Sequence, residues 1–420
     1  MTTSMSTSTG AIWAIASLAT AGVIARPMRW PEWIWAASGA ALLVLTGLMP
    51  LPAAGAAVAK GLDVYLFLTG MMLLSEAARQ HGVFDWVAAA AVNHAGGSRA
   101  RLFTLVYATG AVVTVFLSND ATAVVLTPAV FAVARKARAE PLPLLFACAL
   151  IANAASFVLP ISNPANLVLY GGHMPPLGPW LAAFALPSLA AIGATYAVLR
   201  WYFRRDLAGT CAAVVERPAL SRAGKAAVLA IVLTAGVLLA ASALDRPLGL
   251  PTAVAGLACA IGVSLFARQS PLGLARHISW GVLPLVAGLF VVVEAVDRTG
   301  AIGALARMLS QATAQPATTA LAAGTVLAFV CNIMNNLPAG LVAAGTVALA
   351  HPPRVVVDAL LIGVDLGPNL SITGSLATIL WLQVIRREGE DVGFATFFKL
   401  GLIAMPPALA LALLCRVFLA

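Results

Sequence analysis

Asp120 and Asp365 are the residues on which chemistry can turn. Each stands in a polar run flanked by long apolar sequence. The runs are Ser118-Asn119-Asp120-Ala121-Thr122 and Asp365-Leu366-Gly367-Pro368-Asn369-Leu370-Ser371-Ile372-Thr373-Gly374-Ser375. Two further runs share this character: Pro160-Ile161-Ser162-Asn163-Pro164-Ala165-Asn166 and Asn332-Ile333-Met334-Asn335-Asn336-Leu337-Pro338. Desolvation disfavours the charged form of a carboxylate, so an aspartate in a poorly solvated cavity can load and release a proton. Ionisable groups inside apolar spans commonly mark ion or proton pathways. The other reading is that each Asp caps a broken helix by accepting backbone amides. The two roles are compatible.

These runs are costly to keep among apolar sequence. Proline removes a backbone donor and interrupts the helix ladder. A freed carbonyl or amide in hydrocarbon needs a partner, so irregular backbone persists there only where protein or a protected cavity meets it. Asn, Ser and Thr then offer donors and acceptors to a polar solute, and half-helix ends aim partial charge into the same space. The candidate binding residues are therefore Asn119, Thr122, Asn163, Asn166, Asn335, Asn336, Asn369, Thr373, Gly374 and Ser375, with Asp120 and Asp365 as proton-coupling carboxylates. Any one of the polar side chains can instead join helices by interhelical hydrogen bonds. Glu76 and Glu294, beside Arg79 and Arg298 near helix ends, read as interfacial ion pairs.

The elements that position these groups are membrane helices. Of the 420 residues 61% are hydrophobic and 10% charged, with a mean hydropathy of +0.95. Soluble domains run at about 45–50% apolar and about 25% charged. Apolar stretches of the ~20 residues needed to cross a bilayer recur along the whole chain, which reads as an all-α polytopic membrane protein embedded in a lipid bilayer. The formal charge of +9 sits in short loops with no basic stripe and interleaved aromatics, so no nucleic-acid partner is expected. The five cysteines show no CxxC or paired spacing and the five histidines, all near predicted loops, no HExxH-type pair, which argues against a disulfide framework or a zinc site. No GxxxxGK[ST] loop appears and no cofactor is called for, so the energy source is an ion gradient or a separate motor subunit. Met1 to Gly10 lacks a basic n-region, so the first apolar run is expected to stay as a helix. Segments 84–95 and 301–311 read as amphipathic helices at the interface.

The chain also repeats itself. Gly70, Glu76 and Gly82 match Gly288, Glu294 and Gly300 at a constant offset of 218. Asn119-Asp120 matches Asn335-Asn336, and residues 151–166 line up with 362–377. Repeat one spans about 11–203 and repeat two about 226–416, with an Arg-rich cytoplasmic linker at 204–225. Placing loops 26–32, 79–101, 135–141, 200–225, 268–277 and 386–399 inside puts 19 of the 25 Lys and Arg on that side, as the positive-inside rule requires. Both termini then lie outside, and the two repeats have inverted topology. Broken helices and helical or re-entrant hairpins, 101–135 and 317–350, would meet near the midplane.

At these residues the chain resembles the arsenical pump membrane protein family, within the wider ion-transporter superfamily. The likeness is strongest in FLSNDATAVVLTPAV (116–130), ISNPANLV (161–168), MNNLPAGLV (334–342) and VDLGPNLSITGSLATILWL (364–382). It implies a multi-pass carrier of the cell's inner (plasma) membrane that exports arsenite and antimonite in exchange for protons, sometimes with a soluble ATPase subunit. Asn119-Asp120, Asn163, Asn335-Asn336, Asp365 and Gly374-Ser375 match motif positions that line the superfamily's central site. The Cys331 thiol, just before that third motif, would suit a soft metalloid. Neutral arsenite fits amides and hydroxyls better than an arginine cluster. The superfamily also contains sodium/proton antiporters and sodium-coupled dicarboxylate transporters, which are the competing expectation. A membrane scaffold without flux would need no paired polar breaks.

Overall fold

Backbone in hydrocarbon must bond to itself, and the residues described by the computed structural model, 2–171 and 174–419, form helices and short turns with no strand. Met1 and His173, on which the readings of the N-terminus and of the histidines partly fall, lie outside the described residues. The first half contains α1 (Thr2–Ala25), α2 (Glu32–Leu45), α3 (Leu51–Lys60), α4 (Leu62–Gln80), α5 (Val83–Ala95), α6 (Arg99–Phe116), α7 (Asn119–Ala121), α8 (Thr127–Lys136), α9 (Pro141–Ala154), α10 (Pro164–Tyr170) and α11 (Leu177–Tyr202). The second contains α12 (Arg222–Ala243), α13 (Gly249–Ala267), α14 (Pro271–Ala275), α15 (Val282–Asp297), α16 (Ala301–Ala312), α17 (Pro316–Met334), α18 (Asn336–Ala350), α19 (Arg354–Leu366), α20 (Leu376–Arg387) and α21 (Phe394–Phe418). Among the described residues seven helices are long and apolar enough to cross a membrane, and an eighth span results if α3 and α4, bent by 50°, count as one.

The halves are interleaved. α13 packs along α4 and α2 packs along α15, so each half lends a helix to the other. Glycine makes these approaches possible. A Cβ on Gly70 would lie 2.0 Å from the Thr252 carbonyl oxygen, and one on Gly288 would lie 2.7 Å from the Ala36 oxygen. Small residues of this kind let helix backbones touch where hydrocarbon gives no hydrophobic drive. The Asp63 carboxylate accepts the Gly249 amide at 2.8 Å and so fastens the start of α13 to α4.

Two hairpins and two broken helices face one another inside this frame. α6 turns at Ser118 into α7 and α8; α17 turns at Asn335 into α18. Between α7 and α8 the helix widens into a π turn over Thr122–Leu126. Pro128 supplies no amide to the carbonyl four residues back, and just before it the Thr122 carbonyl accepts both the Thr127 amide and, at 3.0 Å, the Thr127 hydroxyl. α9 and α10 are separated by residues 155–163, α19 and α20 by residues 367–375. α11 and α21, both with interior prolines, pack on each other and enclose the breaks.

The amphipathic segments differ in depth. α5 buries Val83, Phe84, Ala88, Ala89, Ala91, Val92 and Ala95, whereas α16 buries only Ile302 and Ala306. α5 is thus docked on protein rather than lying free at an interface.

Overpacking a tight helix contact costs about 1–3 kcal/mol or more. Gly70→Val and Gly288→Val are each expected to lower the melting temperature of the detergent-purified protein by several degrees. Gly262→Val, where a Cβ meets nothing within 4 Å, should melt with the wild type. Equal melting for all three would show that the crosswise helix contacts are looser than described.

Candidate functional site

All four polar runs reach one small cavity of about 20 Å³. Asn119 and Asp120 come from the first hairpin, Asn163 and Pro164 from the first broken helix, Asn336 and Leu337 from the second hairpin, and Ser375 and Leu376 from the second broken helix. The opposite wall is apolar: Leu68 of α4 with Val282 and Val286 of α15. Such a volume is about that of one water or a bare ion. A second cavity of about 420 Å³ shares Leu68, Asp120, Pro164 and Val282 with the first. It runs along Met71, Met72 and Ser75 of α4 to a mouth with Glu76, Arg79, His277, Arg387 and Glu388. Asp120 therefore stands at the joint between a closed polar pocket and an open vestibule on the arginine-rich face.

The local backbone explains why Asp120 points there. Ser118 takes the capping role, its hydroxyl accepting the Ala121 amide at 3.2 Å, and Asn119 Oδ1 accepts the Asp120 amide at 2.9 Å. No hydrogen bond from a described residue reaches the Asp120 carboxylate. Asp365 is different. It lies in the last turn of α19, fully buried, behind Asn163, whose Nδ2 donates to Asp365 Oδ1 at 2.8 Å. Its other oxygen is buried without a hydrogen bond, because the neighbouring Ser156 hydroxyl donates to the Asn153 carbonyl at 2.8 Å. Neither aspartate caps a helix, and only Asp120 lines the cavities.

The remaining candidates divide by what their side chains already bond. The Asn166 amide donates to the carbonyls of Ser156, Leu159 and Pro160 at 3.0, 3.3 and 3.3 Å, closing the first break from behind. Thr122 bonds Thr114 at 2.8 Å within the first hairpin. Asn369 donates to the Leu150 carbonyl and accepts from Asn153, both at 3.0 Å. Asn335 caps α18 by accepting the Leu337 amide at 3.3 Å and donates to the Thr373 carbonyl at 3.3 Å. Thr373 donates to the Asn332 carbonyl at 3.0 Å. Gly374 packs directly on Pro368, and Cys331 is buried against the Val364 carbonyl. None of these lines the small cavity. Asn119, Asn163, Asn336 and Ser375 do, and among them the Asn336 side chain makes no hydrogen bond to a described residue.

Several polar groups that matter escaped the sequence reading. Asn153, inside α9, joins Asn369, Ser375 and Thr378 in one buried network. Asn332 donates to the Gly367 carbonyl at 3.0 Å and accepts from Ser371 at 2.7 Å, tying the second hairpin to the second break. Asn153 lies within the aligned stretch 151–166 and Asn332 within the third run, so the signal was present but not its direction. Arg416, outside the loops placed inside by the sequence, is buried on α21 and grips Asp358 of α19 with Nε at 2.8 Å and a terminal nitrogen at 2.7 Å; Tyr170 also donates to Asp358. Nothing in the spacing of those residues announces the pairing. Glu76–Arg79 at 2.6 Å and Glu294 with Lys60 at 2.6 Å and Arg298 at 3.8 Å are ion pairs, in keeping with the structural reading.

Helices long and apolar enough to span a membrane, interrupted at depth around a polar pocket with its own vestibule, are the architecture of a membrane transporter. The sequence profile of the citrate transporter family, CitMHS, matches residues 18–366, and the chain belongs to that family. It is 29% identical over 90% of its length to the arsenical pump membrane protein of Escherichia coli (strain K12), covering 92% of that protein. It is 28% identical over 82% of its length to the arsenical pump membrane protein of Yersinia enterocolitica, covering 83% of it. The resemblance read from the motifs is thus borne out. In fold it is similar to the YdaH transporter of Alcanivorax borkumensis, with a TM-score of 0.57, 16% identity and coverage of 87% of this chain and 86% of that one. The chain is a secondary transporter of the ion-transporter superfamily and, like its bacterial relatives, a multi-pass protein of the inner membrane.

Leaving a buried carbonyl without a partner costs about 1–3 kcal/mol. Asn166→Ala strands the Ser156 and Pro160 carbonyls, while Leu159 keeps the Ser162 amide at 3.1 Å, and should markedly lower the melting temperature, whereas Asn336→Ala should melt near the wild type while losing transport. A stable, active Asn166→Ala protein would contradict this division between structural and cavity-facing amides.

Proposed function

We propose that the chain exports arsenite and antimonite from the cytoplasm in exchange for protons, with Asp120 as the group that alternates between proton and solute. The observation that carries this reading is the position of Asp120, unbonded and shared by the polar pocket and the vestibule. The chemistry of the walls supports a small neutral solute. No Lys or Arg lines the polar pocket, and of the two arginines at the vestibule mouth Arg79 is already engaged by Glu76. A multiply charged carboxylate such as citrate is normally held by paired cationic donors, which the pocket lacks. The names of the arsenical pump relatives point the same way.

On this reading the two halves are repeats of opposite topology, 11–203 and 226–416, joined by the linker 204–225. The vestibule mouth lies at three loops read as cytoplasmic, so the conformation is open to the inside. Exchange of access would carry the four polar runs past the apolar wall formed by α4 and α15. Asp365 tunes the pocket indirectly by orienting Asn163. A soluble ATPase subunit is an optional partner that no step here requires.

A sodium-coupled carrier is the second reading, favoured by the pocket's size and its asparagine lining, which suit a dehydrated cation. One experiment separates the two. Everted vesicles are given a pH gradient or a sodium gradient, and arsenite uptake is followed. Uptake driven by the pH gradient is expected, and Asp120→Asn should reduce it to background. Wild-type rates in that variant would remove Asp120 from the mechanism, and uptake that requires sodium and ignores pH would establish the second reading.

A further inference from the structure

A cavity of about 650 Å³ lies away from the transport pocket, where the end of α11 meets the start of α6. Arg200, Arg204, Gly97, Ser98, Ala100 and Thr210 line it. Its walls are built rather than loose. Ser98 and Thr210 form an antiparallel bridge, the Cys211 amide donates to the Gly97 carbonyl at 2.9 Å, and the Ala212 amide donates to the Ala137 carbonyl at 2.7 Å. Arg99 is engaged in the same construction, its Nε donating to the Thr210 carbonyl at 2.9 Å.

The cavity is positive on every count. No Asp or Glu lines it, and neither Arg200 nor Arg204 has a carboxylate partner among the described residues. The Arg204 guanidinium is held over the Trp201 ring at 5.1 Å and donates to the Trp201 carbonyl at 3.0 Å. In the first turn of α6, Ser98 accepts the Arg101 amide and the Gly209 carbonyl accepts the Arg99 amide. The Ala100 amide, on a residue that lines the cavity, is left without an intrahelical partner at the positive end of the helix dipole. Two features place the cavity at the membrane surface. It adjoins the last turn of the span Leu177–Tyr202, and Trp201 and Tyr202 there are exposed, as aromatic residues are at the level of lipid headgroups.

We propose that this cavity binds a phosphate group, supplied by the headgroup of an anionic membrane lipid. Arg200 and Arg204 would hold the phosphate oxygens with the Ala100 amide, and the acyl chains would leave along α11 past Trp201. The site sits where the first half of the chain passes into the linker, so an occupied cavity would also stabilise the packing of that linker on α6.

The test is native mass spectrometry of the purified chain with phosphatidylglycerol, cardiolipin or phosphatidylcholine. It compares wild type, the Arg200→Gln/Arg204→Gln variant, single Arg200→Gln, and a control Arg268→Gln/Arg276→Gln that removes two exposed arginines elsewhere. Wild type and control are expected to retain an anionic lipid, and the double variant to lose at least tenfold of that retention with phosphatidylcholine adducts unchanged. Single Arg200→Gln should show an intermediate loss, and it serves if the double variant does not fold. Equal losses in the test and control pairs would reduce the effect to general surface charge and overturn the proposal. A parallel melt in lipid-free detergent with inorganic phosphate separates the sources. Protection by phosphate without any preference for anionic lipid would overturn the lipid assignment.

Discussion

Everything about the central pocket follows from the need to satisfy backbone carbonyls in the interior of a membrane protein. Residues 155–163 leave the helix in the middle of the fold, which exposes a row of acceptors. The Asn166 amide meets those of Ser156, Leu159 and Pro160, and the buried Trp180 indole meets those of Phe157 and Val158. The second break is met by Asn332 at Gly367 and by close approach of α21, where a Cβ on Gly401 would lie 2.3 Å from the Leu370 oxygen. Once those acceptors are covered, the break is a rigid part of the scaffold. The few polar groups left over then face the cavity as fixed features rather than as flexible side chains.

This division leaves the pocket with one polar side and one apolar side. Each hairpin is tied to the broken helix beside it: Ser162 donates to the Val115 carbonyl at 3.1 Å in the first half, and Thr373 to the Asn332 carbonyl at 3.0 Å in the second. Four chain segments therefore form one unit. The aromatic cluster of Phe146, Trp381 and Phe397, with ring centroids 5.6 to 5.8 Å apart, reinforces it. Facing it, α4 and α15 present Leu68, Val282 and Val286, which offer no hydrogen bond to a solute or an ion. A polar surface against an apolar one is a weak contact in energy, and it is where separation costs least.

The membrane class, the four runs and the offset of 218 were legible because they depend on local composition and on spacing along the chain. The roles of individual asparagines were not. Asn166 and Asn336 occupy similar motifs, yet one is turned back onto its own break and the other faces the cavity. Side-chain direction in irregular backbone is set by contacts far away in sequence, such as Asn369 with Leu150. Asp358 and Arg416 illustrate the same limit: an ion pair between helix ends 58 residues apart leaves no mark in either local sequence. Asp120 lines both cavities, whereas the capping role its position also allowed belongs to Ser118, an equally polar neighbour two residues away.

The differing packing of α5 and α16 bears on how such a carrier would move. The two helices follow equivalent glycines, Gly82 and Gly300, each with positive φ (+72° and +85°), so they leave their preceding helices in the same way. Yet α5 is buried along one face, whereas α16 stands off α17 and leaves an apolar cleft of about 700 Å³. The Glu76 end of the molecule, by contrast, has the open vestibule. If the halves are inverted repeats, these two departures from symmetry have one cause. On the exchange of access proposed above, the four-segment unit would be displaced towards the arginine-rich face, compressing the α5 side and stretching the α16 side. The reverse displacement would dock α16 as α5 is docked now, and would close the vestibule above Asp120. Glycine at the root of each arm supplies the backbone freedom for that exchange, and neither arm must break a hydrogen-bonded network of the pocket to make it.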